Sequence, residues 1–560
     1  MQTGQAQKPI EIALTAGKAY GDIFNQVDVD VVFTGPEGES WRVPAFWAGG
    51  SEFRVRFAAP AAGRYAWQSS CTHVDDTGLH GRAGQIDVAP YGGSCPLYRR
   101  GRLRVAASRR TLEHADGTGF LWLADTWWMG LTHRLDWPAG FAHLTADRAA
   151  KGFNVIQIVA GPLPDFDAYT GAWNPQQGNE AGLSWEQDWT RINPAFYDLA
   201  DLRIAHMVET GLVPCIVAMW GYYLPVMGVQ KVKKHWRYLI ARYGAYPVVW
   251  CLAGECTMPT YSRHANAGTA DQDRQLQKTG WTEVAQYVRQ IDPCRNLLTV
   301  HPAWDVSGRQ SLADAGLLDF DMLQTGHSGY LCLKSSVERM AATVAAEPVM
   351  PALNSEVNYE GIMGGSWQDV QRYLFWSMML SGACGHTYGA QGIWAMNSRH
   401  EPFRGTTGSW GDGYWQDVMH YSGSAHMGVG RKLLMRYPWW LLRPRAEEQP
   451  RAMGRVTSLA AEIPGALAIF YLPSACFPPE LMGMSTGWRN ALPVAIQGEG
   501  WRACYLNPRT EAEVDIGAVV PGADGKWTPP PAPTMEDWVL VIERPHALKD
   551  HSRRLEAAVG

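Results

Sequence analysis

Two short apolar segments of this chain each end in a glutamate. The segments read VVWCLAGE (248–255) and VMPALNSE (349–356), and turn signals bound both, as is typical of buried strands. In a (β/α)₈ barrel the carboxyl ends of the strands face one site, where Glu255 and Glu356 would meet. A protonated and an ionised carboxyl group together can cleave an acetal, because one protonates the leaving oxygen while the other attacks the anomeric carbon or activates water.

The central part of the chain contains enough strands to close such a barrel. Between about residues 105 and 440, strand-like runs alternate with helical patterns, which indicates parallel βα units. Asn193 and Pro194 form a helix start, and apolar residues then recur at helical spacing. Eight strands favour a closed barrel over a doubly wound sheet. The predicted strands are 120–124, 154–159, 213–219, 248–253, 297–300, 320–324, 350–355 and 383–388.

The two ends of the chain have a different pattern, with short alternating runs separated by turns rich in Gly and Pro. This pattern is typical of β-sandwiches. We therefore predict a multidomain α/β plus β protein in which a TIM barrel lies between two β-sandwich domains. The predicted domains are an N-terminal Ig-like sandwich (1–98), the catalytic barrel (99–444), a C-terminal sandwich (445–545) and a tail (546–560).

Polar and aromatic residues are frequent near the predicted strand ends and in the long, polar connection 160–191. Barrel interiors favour branched apolar residues, so polar groups there suggest hydroxyl recognition or a hydrogen-bonded network beneath the site. Aromatic rings would stack on a sugar or fill the core. The candidate polar binding residues are Asp125, Gln157, Asn179, His301, His327 and Tyr388. The candidate stacking residues are Trp127, Trp220, Tyr223, Tyr330, Tyr359 and Trp394.

Two other classes of function remain open at this point. A metal-dependent hydrolase would use His301, His327 and His386 together with Asp125. Neither an H-x-H on the first strand nor an H-E-x-x-H motif occurs, so we expect no metal and no cofactor. A glycan-binding protein with a degenerate barrel is the other alternative, and the presence of both glutamates disfavours it.

The composition excludes further classes. The chain has 49 basic and 54 acidic residues, a net charge of −5, so no nucleic-acid partner is expected. Its ten cysteines form no CxxC pair, which favours a reducing compartment. The N-terminus has no apolar signal-peptide core, and no apolar run is long enough to span a membrane. We therefore predict a cytoplasmic location, with a secreted or periplasmic location as the alternative if a leader was removed. The 26 tryptophans suit either a core or a sugar-binding cleft.

Several segments of the predicted barrel form a recognisable set. They are FLWLADTW (120–127), KGFNVIQ (151–157), INP (192–194), HWRYLIARYG (235–244), QTGH (324–327), NSEVNYEG (354–361) and GHTYG (385–389) with Trp394. Together these segments resemble the apiosidase-like glycoside hydrolases, a (β/α)₈ family formerly classed as a domain of unknown function. The flanks are similar to the N-terminal β-sandwich module and the collagen-binding-type C-terminal module of such proteins, although nothing in the sequence supports collagen binding.

The resemblance implies a retaining glycosidase whose acid/base follows strand four and whose nucleophile follows strand seven, which correspond to Glu255 and Glu356. The long connection 160–191 would suit a closed pocket and therefore exo action, and the expected substrate is an oligosaccharide or polysaccharide of plant or microbial origin. Many relatives have aspartate at the strand-four position, where this chain has the longer Glu255. Specificity for apiose is therefore not transferred.

Overall fold

A computed structural model describes residues 2–164, 177–259, 267–402, 412–445, 459–474 and 494–548. Part of the predicted 160–191 connection lies outside the described residues. The centre of the structure is a sheet of eight parallel strands, which are β1 (Trp122–Trp127), β2 (Val155–Val159), β3 (Val213–Val217), β4 (Val249–Cys251), β5 (Leu298–Thr299), β6 (Asp321–Gln324), β7 (Ala352–Glu356) and β8 (Gly385–Tyr388). Their hydrogen-bonding order is β5-β4-β3-β2-β1-β8-β7-β6.

Two hydrogen bonds close the seam between β5 and β6. The Asp319 backbone N–H donates to the Leu298 carbonyl at 2.9 Å, and the Thr299 hydroxyl donates to the Phe320 carbonyl at 2.9 Å. The sheet therefore forms a ring with a filled interior, and the TIM-barrel prediction is confirmed.

All eight predicted strands are present, but the first begins and ends later than predicted. Gly119–Phe120 belongs to a small sheet with Leu112–His114 and Leu103–Val105, and β1 continues to Trp127. Asp125 therefore lies inside β1 instead of following it. The apolar run extends across both elements, so its hydrophobicity does not mark the boundary between them.

Helices cover the outside of the barrel. The helix Pro194–Glu209 begins as predicted, with the Asn193 side chain accepting a hydrogen bond from the Ala195 N–H and proline in the first turn. The other helices of eight or more residues are Ala139–Ala150, Val229–Tyr243, Ala267–Ile291, Leu333–Ala345, Gln368–Leu380 and Ser422–Leu434. In the part of the chain that the structure describes, no helix is both long and apolar enough to cross a membrane.

The N-terminal region consists of two facing sheets. Phe33 and Phe57 come from opposite sheets and stack with ring centroids 4.1 Å apart, which places the core of this region between them. The larger sheet contains, in order, Gln2–Gln5, Ala83–Ala89, Gly63–Cys71, Val29–Thr34 and Ser40–Pro44. The smaller sheet contains Ile10–Thr15, Glu52–Phe57 and Phe46–Gly49.

The C-terminal sheet is fastened to the barrel helix Gln368–Leu380. The Arg372 guanidinium makes a two-pronged ion pair with Asp537, at 2.6 and 2.9 Å, and the Tyr471 hydroxyl donates to the same carboxylate at 2.9 Å. These groups are buried, and their hydrogen bonds offset the cost of desolvating the charges. The strands of this sheet are Arg443–Pro444, Ala460–Ile463, Leu467–Leu472, Trp538–Glu543, Arg502–Leu506 and Glu513–Ala518. A further pair is Val494–Ala495 with Lys526–Trp527.

Candidate active site

Glu255 and Glu356 lie side by side at the carboxyl end of the barrel. One side-chain nitrogen, Nε2 of Gln324, lies 2.9 Å from Glu255 Oε1 and 3.2 Å from Glu356 Oε1. Gln324 is the last residue of β6, so β4, β6 and β7 deliver these three groups to one point. The predicted meeting of the two carboxyl groups is therefore seen in the structure.

Two histidines surround the carboxyl group of Glu356. Nε2 of His327 is 2.8 Å from Glu356 Oε1, and Nε2 of His301 is 3.0 Å from Oε2. Burial alone would raise the pKa of Glu356, but hydrogen bonds and charge from these histidines outweigh it and lower that pKa to about 2. Glu356 is therefore ionised at neutral pH, as an attacking carboxylate must be.

Glu255 has the opposite electrostatic environment. Burial and the neighbouring negative charge of Glu356 raise the pKa of Glu255 to about 7, despite hydrogen bonds from Gln324 and Trp220. The indole N–H of Trp220 donates to Glu255 Oε2 at 3.0 Å and fixes the carboxyl group. The Glu255 backbone has φ of 41°, a strained conformation for a non-glycine residue and one often found at functional sites.

The contact between Trp220 and Glu255 depends on a glycine. A Cβ atom on Gly254 would lie 2.1 Å from Cζ3 of the Trp220 ring. The Trp220 ring is buried and packs edge-on against Trp128 at 5.3 Å, so it has little room to retreat. Gly254 therefore lets the indole reach Glu255.

We expect Gly254→Ala to reduce kcat about tenfold or more, because the displaced indole no longer holds Glu255, and to lower the free energy of unfolding by about 1–3 kcal/mol through overpacking. Steady-state kinetics and chemical denaturation measure the two effects. Gly92→Ala is the matched control, since no atom lies within 4 Å of its added Cβ. Wild-type kcat in the Gly254→Ala variant would show that the Trp220 contact is dispensable.

A layer of hydrogen bonds beneath the site orients His301 and Glu356. The Ser355 hydroxyl lies 2.8 Å from His301 Nδ1 and donates to the Leu323 carbonyl at 2.9 Å. The Gln157 side chain donates to the Ser355 carbonyl at 2.7 Å. Gln157 therefore lies under the site and is bonded to the backbone beside Glu356.

Tyr359 joins the site from the loop after β7. Its ring centroid is 4.5 Å from that of His327, and its hydroxyl accepts a hydrogen bond from Trp128 Nε1 at 3.0 Å. Burial and the charge of Glu356 raise the pKa of this hydroxyl well above its ordinary value, so Tyr359 remains neutral. Trp128, which the sequence analysis overlooks, also packs edge-on against His301 at 5.2 Å.

Two predicted binding residues on β1 are directed toward the surrounding helices. Asp125 forms a fully buried ion pair with Arg148 at 2.6 Å and accepts from Trp127 Nε1 at 2.8 Å. The Trp127 ring is fully buried and packs edge-on against Phe141 at 5.8 Å. These contacts hold the helix Ala139–Ala150 against the barrel, and the structure does not bring either residue to the glutamate pair.

Other predicted residues also have structural partners. The Asn179 amide donates to the Phe196 carbonyl at 2.8 Å, and the Tyr388 hydroxyl donates to Glu360 at 2.6 Å. Trp394 is buried, and its backbone carbonyl accepts from the Met129 N–H at 3.2 Å. Roles for these residues in substrate binding stay predictions. The contacts seen in the structure hold the segments around the site together.

The residues of the metal-site alternative are not gathered around a common point. His301 and His327 contact Glu356, whereas Asp125 is paired with Arg148. His386 packs edge-on against Phe375 of an outer helix at 5.5 Å. Among the described residues, no group of three or more His, Cys, Asp or Glu side chains is arranged to hold a metal ion.

The structure is a parallel eight-stranded barrel with two neighbouring glutamates at its carboxyl end, one with a raised pKa and the other with a lowered pKa. This arrangement is characteristic of the class of barrel glycosidases. Residues 106–441 match the model of the family described as "Apiosidase-like, catalytic domain", and the chain belongs to this family. It is thus a glycoside hydrolase, and its substrate is a carbohydrate. Residues 5–72 match a second model, described as "Domain of unknown function (DUF5060)".

Solved structures with a similar fold are also found. A structure named "Glycoside hydrolase" shares 21% identity, covers 80% of this chain and 98% of its own, and has a TM-score of 0.62. A candidate glycoside hydrolase from Bacteroides vulgatus ATCC 8482 shares 16% identity over 97% of this chain and 100% of its own, with a TM-score of 0.68. A family 5 glycoside hydrolase from the same organism shares 20% identity, covers 81% of this chain and 95% of its own, and has a TM-score of 0.63. No curated protein matches this chain significantly in sequence.

Proposed function

We propose that this protein is a retaining, exo-acting glycosidase in which Glu356 is the nucleophile and Glu255 is the acid/base. The observation that carries the proposal is the pair of adjacent glutamates with opposed pKa values. Environments that separate the pKa values of two carboxyl groups assign one to proton donation and the other to attack.

The spacing of the two carboxyl groups supports retention. Because Gln324 Nε2 is 2.9 Å from one oxygen and 3.2 Å from the other, these two oxygens can be no farther apart than the sum of those distances. That limit applies to the facing oxygens of the two groups, and it favours the spacing of a retaining pair over the roughly 6.5–9.5 Å of an inverting pair, which must leave space for a water molecule. Retaining pairs are separated by roughly 5–5.5 Å.

In the proposed reaction, the ionised Glu356 attacks the anomeric carbon while the protonated Glu255 transfers its proton to the leaving oxygen. The glycosidic bond breaks, and a glycosyl ester forms on Glu356. Glu255, now ionised, takes a proton from water, which attacks the anomeric carbon and releases Glu356. His301 and His327 stabilise Glu356 as an anion between turnovers.

We infer exo action from the long connection after β2, which would narrow the site to a pocket, and we propose a plant or microbial oligosaccharide or polysaccharide as the substrate. Of this connection, residues 160–164 and 177–191 are described, and the buried Trp185 in it donates from its indole N–H to His235 Nδ1 at 3.2 Å. Loops of this length on the catalytic face usually shape substrate binding.

The test is hydrolysis of a panel of 4-nitrophenyl furanosides and pyranosides, followed by proton NMR of the first product formed. We expect one or a few sugars to be cleaved, with the anomeric configuration of the substrate retained before mutarotation. A first product of inverted configuration would exclude Glu356 as a nucleophile. Absence of hydrolysis across glycosides that bind would favour a non-catalytic glycan-binding protein.

A further inference from the structure

Four large apolar side chains are exposed on the loops that follow β5, β6 and β7. The exposed fractions are 57% for Trp304, 73% for Leu331, 51% for Met363 and 42% for Trp367. We call this set the apolar rim. Each of these loops lies next to a residue of the candidate site: His301 and His327 are near the start of the first two loops, and Glu356 is the last residue of β7 before the third. Exposed apolar groups clustered at the mouth of a site commonly mark a binding surface.

The loop carrying Trp304 is held firmly in place. The Arg339 guanidinium donates to the Trp304 carbonyl at 2.5 Å, to the Val306 carbonyl at 2.9 Å and to the Gln324 carbonyl at 2.8 Å. The next residue, Asp305, forms an ion pair with Arg274 at 2.8 Å. An exposed indole on a fixed backbone binds a ring with little loss of conformational entropy.

Side-chain hydrogen bonds join the loop after β6 to the loop after β7. The Asn358 side chain accepts from the Gly329 N–H at 3.2 Å and donates to the Gly329 carbonyl at 2.7 Å. The Tyr330 hydroxyl donates to Asp369 at 2.7 Å. The apolar rim is therefore presented by interconnected loops, as expected of a preorganised surface.

The position of Trp304 identifies the part of the substrate that it would contact. Its loop is bonded to the loop of Glu255, because the Cys256 N–H donates to the His301 carbonyl at 3.0 Å. The acid/base group lies beside the leaving oxygen, so the portion of the substrate released first lies on this side of the site. The flat indole presents an apolar face to the C–H groups of a sugar ring.

We propose that Trp304 forms a leaving-group subsite that stacks on a sugar ring, so that the natural substrate has at least one sugar on the leaving side of the cleaved bond. The apolar rim beyond it would contact further sugars of the same chain. This inference rests on the proposed function and deepens it. Trp304 determines specificity and takes no part in the bond-breaking step.

The test compares two substrates with the same terminal sugar, a disaccharide and the methyl glycoside. We expect Trp304→Ala to raise KM for the disaccharide about three- to tenfold, to change kcat little, and to leave KM for the methyl glycoside unaltered. Trp304→Phe keeps a stacking face and should restore most of the affinity.

Trp440→Ala is the matched control. Trp440 is 40% exposed, but it packs near Gly119, ahead of β1 at the opposite end of the barrel. The KM values of the Trp440→Ala variant for the disaccharide and the methyl glycoside should equal those of the wild type. Unchanged disaccharide KM in Trp304→Ala, or an equal rise with the methyl glycoside, would overturn the subsite while leaving the glycosidase assignment intact. A wild-type protein that cleaves neither substrate nor any aryl glycoside would instead overturn the proposed function.

Discussion

Replacing Glu356 by glutamine should reduce kcat/KM by about 10⁴-fold or more on every substrate, because no other group can take over attack on the anomeric carbon. The amide keeps the size of the side chain, and its one oxygen can still accept a hydrogen bond from one of the two histidines, so the fold should persist. Steady-state kinetics and a thermal melt measure the two properties on the same preparation.

A trapping experiment tests the same role directly. A 2-deoxy-2-fluoro glycoside of the preferred sugar with a good leaving group slows both steps of a retaining reaction, and it allows the glycosyl ester to accumulate. Mass spectrometry of a proteolytic digest should find the sugar on the peptide containing Glu356 in the wild type and no adduct in Glu356→Gln. An adduct on any other carboxylate would reassign the nucleophile.

Glu360→Gln provides a matched control from the same segment. Glu360 is also buried, but its carboxylate accepts hydrogen bonds from the Tyr388 hydroxyl at 2.6 Å and from the Gly423 N–H at 3.0 Å. An amide oxygen can still accept one of these bonds, so kcat/KM should fall by less than about tenfold. A loss as large as that of Glu356→Gln would mean that burial alone explains the effect.

The positions of the two glutamates could be predicted because they depend on local patterns. An apolar run of strand length followed by a carboxylate specifies both a buried strand and a polar group at its end. The parallel arrangement of β4 and β7 then brings Glu255 and Glu356 to the same face of the barrel. Neither step requires knowledge of a particular side-chain contact.

The residues on β1 show where local patterns are insufficient. Side chains alternate between the two faces of a strand, so an error of one position exchanges the interior for the exterior. Asp125 and Trp127 share a face and contact the helix Ala139–Ala150, whereas Trp128 contacts Tyr359 and His301. Because β1 is buried throughout, its sequence has no polar alternation that would reveal which face is which.

The bridging role of Gln324 also lies beyond what the sequence reveals. Its place at the end of β6 could be predicted, but a glutamine amide can donate, accept or do both. Only the three-dimensional arrangement brings its Nε2 within hydrogen-bonding distance of both carboxyl groups. The opposed pKa values of Glu255 and Glu356 likewise depend on burial and on neighbours distant in sequence.

Replacing Glu255 by glutamine should have an effect that depends on the leaving group. Glycosides with sugar or alkyl leaving groups need protonation of the departing oxygen, so their kcat/KM should fall about 10²- to 10⁴-fold. A 4-nitrophenolate leaves without much assistance, so formation of the glycosyl ester should slow by less than about tenfold, as measured by the pre-steady-state burst. Equal losses for both kinds of substrate would argue against general acid catalysis by Glu255.

The pH dependence supplies an independent signature of the same group. Glu255 must be protonated to act as an acid, and its pKa is raised to about 7, so wild-type kcat/KM should fall as the pH rises through about 7. Glu356 is already ionised far below that range, since its pKa is lowered to about 2. In Glu255→Gln the alkaline decline should disappear with the 4-nitrophenyl substrate. Gln68→Glu, a change at an exposed position of the N-terminal strand Gly63–Cys71, should leave the profile unaltered. An alkaline decline that persists in Glu255→Gln would have to come from another group.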